Sequence, residues 1–133
     1  MANKQKDLAE GTLYFFTPRV LAATATIVHP LFKAWQALTI TNIAIIPGID
    51  VAGHATNRKN YNFINEGTDG TGTTDVGTYD LTVANALTAM VPTNLVTTNF
   101  NLAISEVLSL TIEQVSSGIL VGESTIIVEW EAK

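Results

Sequence analysis

The stretch Ser124 to Ala132 reads STIIVEWEA, and its alternation decides the fold class. Ile126, Val128 and Trp130 share one parity, while Ile127, Glu129 and Glu131 share the other. Successive side chains of a strand point to opposite faces, so this is the pattern of a half-buried antiparallel strand. VLSLTIEQV, Val107 to Val115, repeats it with Leu108, Leu110 and Ile112 inward and Ser109, Thr111 and Glu113 outward. Between the two, SSGILVGES supplies Gly118 and Gly122 for a turn, and a hairpin of neighbouring strands is the simplest expectation.

Working outward, AATATIVHP and QALTITNIAIIPG are rich in β-branched residues and stop at Pro30 and at Pro47-Gly48. Proline removes a ladder donor and glycine permits a turn, so both read as strands with punctuated ends. The second changes phase, from Leu38 and Ile40 to Ile43 and Ile45, which a β-bulge near Thr41 and Asn42 would repair. Tyr61, Phe63 and Asn65, and then Tyr79, Leu81 and Val83, mark two more strands. Asn85 to Met90 reads as a helical turn at most, and Val91 to Asn99 as loop or short strand.

Roughly eight short strands with no long helical period predict an all-β fold, a single-domain antiparallel β-sandwich over residues 12–133. A jelly-roll-like topology fits the long connections from Gly48 to Asn60 and from Asn85 to Asn99, with an immunoglobulin-like sandwich as the alternative. Residues 1–11, with Lys4, Lys6, Asp7 and Glu10, alternate no faces and are expected to form a flexible arm that orders on a neighbouring molecule.

Composition narrows the function classes. With no cysteine there is no disulfide, thiolate nucleophile or sulfur-ligated zinc. A net charge of −5 with seven Lys and Arg argues against nucleic acid as a partner, because phosphate binding needs clustered cations. No signal-peptide core or apolar span long enough for a membrane is expected, so assembly in a cytoplasm is the expectation. Hydrophobic residues at 47% against 14% charged point to apolar surface that a partner covers.

The catalytic inventory is thin. In NEGTDGTGTTDVG, Asn65 to Gly77, a phosphate loop would need a lysine after Gly72, where Thr73 stands. Asp69, Thr71, Thr73 and Asp75 could offer oxygens to calcium, but two carboxylates are few for that ion, and local turns by glycine and threonine are the simpler reading. His54 and Asp50 could form an acid/base pair; His29 has no sequence-near partner. Arg58 and Lys59 form a small basic spot, a solvated loop or a contact to an acidic partner. Trp130 has core parity, and Trp35 could pack or stack on a sugar. Neither a cofactor nor an enzymatic activity is expected.

Leu38 to Val83 followed by Leu108 to Trp130 resembles the small β-sandwich decoration, or cement, proteins of tailed bacteriophage capsids. The matching features are a strand ending Ile-Pro-Gly-Ile-Asp at Ile46 to Asp50, Thr56-Asn57, the strand Asn60 to Asn65, the Gly-Thr run from Gly67 to Thr74 and a final segment built on Ser117-Gly118. The resemblance implies a non-enzymatic homotrimer on the virion surface that ties neighbouring copies of a major capsid protein together. A tail or fibre adhesin that binds carbohydrate and a single-jelly-roll coat protein are the alternatives.

Overall fold

The computed structural model describes residues 9–133, and Lys4, Lys6 and Asp7 lie outside them. Nine strands follow in order: β1 Glu10–Thr17, β2 Ile27–Lys33, β3 Leu38–Pro47, β4 Arg58–Asn65, β5 Thr74–Asp80, β6 Thr93–Val96, β7 Phe100–Leu102, β8 Val107–Val115 and β9 Ser124–Ala132. The one helical element among the described residues is a 3₁₀ turn, Val83–Asn85.

Two antiparallel sheets face each other. One runs β1-β9-β3-β6, with β7 also on β3; the other runs β2-β8-β4-β5. β7 pairs with Leu38–Ile40 and β6 with Ile43–Ile45, so the two act as one interrupted strand along β3. Counted that way, the strands in chain order lie 1-8-3-6 in one sheet and 2-7-4-5 in the other, the order of a jelly roll. The immunoglobulin alternative is thereby set aside.

The same order has a simple origin in the chain. Glu10 pairs with Glu131, Ile27 with Ile112, Leu38 with Leu102 and Asn60 with Asp80, so all four pairings centre on Gly70 to within a residue. The whole chain is folded double about the Gly/Thr loop and then wound into two sheets. Gly70 has φ +79 and open space where a Cβ would stand, as the tip of such a hairpin permits.

β8 and β9 do not form the expected hairpin. β8 lies between β2 and β4 while β9 lies between β1 and β3, so the two face each other across the core. Their connection crosses between sheets, turning at Ser116 and Gly118, both at positive φ, and fastened by the mutual Val20–Val121 backbone bonds of 2.9 and 3.0 Å. Two strands with one apolar face each can bury them as partners across a sandwich, and alternation alone does not separate that from adjacency.

Other boundaries shift for local reasons. β1 starts at Glu10 because Ala132 N donates to Ala9 O and extends the ladder, so Glu10 and Gly11 belong to the sandwich and not to an arm. β2 runs through Pro30, which is tolerated because β2 is an edge strand. β5 ends at Asp80, leaving Leu81 buried beyond it and Val83 in the 3₁₀ turn. The bulge falls where the phase change required it, between Ile40 and Asn42, and it keeps Leu38, Ile40, Ile43 and Ile45 all within 1% of full burial.

Those four side chains meet Ile126, Val128, Leu108, Leu110, Ile112, Tyr61 and Phe63 in one core, each large apolar side chain contributing about 1.5–3 kcal/mol on burial. An aromatic chain closes one side of the sandwich: Phe15 stacks on Phe32 at 5.8 Å, Phe32 meets Trp35 at 6.0 Å, and Trp35 sits edge-on to Trp130 at 5.1 Å. Trp130 is buried as its parity predicted, lying over Gly11, where a Cβ would come within 2.9 Å of its ring.

Candidate functional site

The Gly/Thr loop is stapled at its base. Glu66 N and Val107 N bond Val107 O and Gly67 O, Ser109 Oγ donates to Glu66 at 2.6 Å, and Asn65 bonds the Glu106 carboxylate. Asp69 accepts both the amide and the hydroxyl of Thr71, and the hydroxyl bond above all holds its carboxyl below the usual carboxylate range. Asp75 accepts from Gly77 N and the Thr78 hydroxyl, while Thr73 is exposed. Each aspartate is thus spent on its own turn. No group of three or more His, Asp or Glu side chains placed to hold a metal occurs among the described residues.

His54 and Asp50 are likewise committed to backbone. His54 Nδ1 accepts from Thr56 N at 3.1 Å and Asn57 N at 2.8 Å, and Asp50 accepts from Ala89 N at 2.7 Å. Both fasten loops, and neither bonds the other. Arg58 donates to Ala55 O and to Asn60. Lys59 corrects the expectation of a solvated basic spot, since it has the inward parity of Tyr61 and Phe63 and no exposed surface. Its ammonium donates to Thr24 O at 2.7 Å, and desolvation pulls its pKa down.

What the sandwich offers instead is a surface. The outward residues of β1, β9 and β3 fall into register: Tyr14 lies beside Ile127 and Ile127 beside Ala44, and Phe16 lies beside Thr125 and Thr125 beside Ile46. Tyr14 and Phe16 are 68% and 67% exposed. Met90 projects onto the same corner, 70% exposed and held at φ 62, with its N–H on Pro47 O. A bulky side chain in the left-handed region is costly, so its loop is set by the contacts around it. Phe16, Ile46 and Met90 line one shallow depression, and Ile49, Leu120 and Arg19 line a groove of about 570 Å³ next to it that shares Glu123. Toward the opposite end of the face stand Glu10, Glu129 and Glu131.

The sequence hid this face because TLYFF is apolar on both parities, and Ile127 stood between polar Thr125 and Glu129 on its own parity. Only the lateral order of β1, β9 and β3 brings the outward apolar residues together.

No family model matches the chain, and no curated protein matches it. Among solved structures the chain is similar to one in the structure of infectious bursal disease virus Gx strain, at 15% identity and a TM-score of 0.34, covering 92% of this chain and 31% of that one. It is also similar to one in the infectious bursal disease virus VP2 subviral particle, at 14% identity and a TM-score of 0.29, covering 92% of this chain and 41% of that one. The chain therefore spans less than half the length of either, and likeness at these scores carries no functional argument.

Proposed function

We propose that this chain is a non-enzymatic structural protein of a virion, which sits on the outside of a phage capsid and cements neighbouring copies of the major capsid protein. The observation that carries the reading is the apolar outer face around Tyr14, Phe16, Ile127 and Met90 on a rigid two-sheet frame. Exposed apolar area of this kind marks a protein interface. The resemblance of Leu38–Val83 and Leu108–Trp130 to capsid decoration proteins points the same way. A lattice repeats each weak contact many times, so avidity supplies the hold and no active site is needed.

In this reading the working unit is a homotrimer, assembled in the host cytoplasm with the shell. The interaction residues are the outer face, Arg58 at the surface, and Lys4, Lys6, Asp7 and Glu10 near the start of the chain. The test is co-sedimentation of the purified protein with empty shells assembled from a phage major capsid protein. Saturable binding at a fixed ratio to capsid subunits is the expected result, and shells that pellet without it overturn the reading.

A further inference from the structure

We infer that the free edge of β1 is a self-association site, at which a second copy of this chain adds its own β1 antiparallel across a two-fold axis at Tyr14. Edge strands offer unpaired N–H and C=O groups, and folded proteins blunt them with proline, charge, bulges or short length. Three of the four edges here are blunted. β2 carries Pro30, a register shift after it and exposed Lys33. β5 carries Asp75, Gly77, Asp80 and a register shift against β4. The β6–β7 edge is broken into strands of four and three residues.

β1 has none of these devices. It is eight residues long, EGTLYFFT, in unbroken register with β9, and its one charge is Glu10 at the start. Because Ala132 N donates to Ala9 O, the alternation of an antiparallel ladder assigns the odd residues of β1 to β9. Thr12, Tyr14 and Phe16 therefore turn their backbone groups to the free edge, and among the described residues nothing bonds them there.

The strand is complementary to itself. In an antiparallel pair, opposed residues share a face, so Tyr14 meets Tyr14 of the second copy and Thr12 meets Phe16. These are the residues with free backbone groups, so hydrogen-bonding phase and side-chain face agree on one register. Glu10 falls beyond the pairing opposite Pro18, and no like charges oppose. The apolar outer face then runs without a break from one copy into the next. An antiparallel pair of identical strands is two-fold, so assembly holds two copies, or six where the proposed three-fold also forms. The contact stands whether or not the protein decorates a shell.

The test is the mass of the full chain at micromolar concentration, with Tyr14→Lys and Tyr14→Glu variants. Wild type is expected at two or six times 14.2 kDa. Each variant opposes two like charges at the axis and should weaken the contact about tenfold or more, while an equimolar mixture of the two restores it by pairing Lys with Glu. Thr12→Pro removes a donor facing the free edge, follows Gly11, and should dissociate copies with the circular dichroism unchanged. Wild type at one or three copies overturns the inference, as does a mixture that fails to reassociate. Stronger association on removing residues 1–8 overturns it too, because the chain's own start would then occupy the edge.

Discussion

The two outer faces of the sandwich are built on the same strand geometry and have opposite chemistry. At the centre of one, Ile127 of β9 lies between Tyr14 and Ala44; at the centre of the other, Thr111 of β8 lies between Val28 and Asn62. Around Thr111 the surface is a polar lattice, in which Asn60 and Asn62 both donate to the Glu113 carboxylate at 3.2 and 3.4 Å. Around Ile127 it is aromatic and aliphatic. A sheet face of asparagine, threonine and glutamate is compatible with water, whereas one that leaves Tyr14 and Phe16 two-thirds exposed carries apolar area that a partner would cover.

The sharpest way to break this contrast is to place one charge at the centre of each face. Ile127→Lys should reduce attachment to shells by about a hundredfold, because a charge at the centre of a buried contact costs several kcal/mol, with the folded state held to within about 1 kcal/mol. Thr111→Lys should leave attachment unchanged. Co-sedimentation titrations of both variants read the difference; equal effects on the two faces would erase the distinction.

The polar face predicts the next largest effect, on stability instead of attachment. Glu113→Ala strips the acceptor from two asparagines, one of them, Asn60, only 6% exposed, and should cost about 1–2 kcal/mol. Urea midpoints measure the loss, and shell binding should not follow it. Met90→Gly tests the apolar corner in reverse. Glycine relieves the left-handed backbone at φ 62, so stability should rise by up to about 1 kcal/mol while attachment falls a few-fold with the lost side chain.

The strands, their inward faces and the bulge at Thr41 were legible because each is a local pattern of period two, with one phase slip that only an inserted residue explains. Lateral order was not, since β8 and β9 carry the same alternation whether adjacent or opposed. Lys59 misled for a related reason: beside Arg58 it reads as a basic pair, yet consecutive strand residues point to opposite faces, and its long stem suits the end of a core with a carbonyl to meet its ammonium. The apolar outer face lay beyond the sequence because Tyr14, Ile127, Ile46 and Met90 are scattered along the chain and become neighbours only once it is folded double about Gly70.

The smallest effect comes from the edge of the polar sheet, at His29. It faces inward from β2 between exposed Val28 and Pro30, and its Nε2 is buried without a partner, so burial holds its pKa below the usual 6.5. The unfolded chain then binds a proton more readily than the folded one, and stability rises with pH wherever that difference exists. The contribution is whole above the unfolded value of 6.5 and is lost as pH falls through it, levelling off below the folded pKa. Urea midpoints at about pH 7.5 and about pH 5 should therefore differ more for wild type than for His29→Leu, which has no proton to take up. The same variant should leave the Ile127 face and its attachment untouched at both values, because the two lie on opposite sheets. A pH dependence that survives the substitution would assign it to other groups and remove His29 from the account.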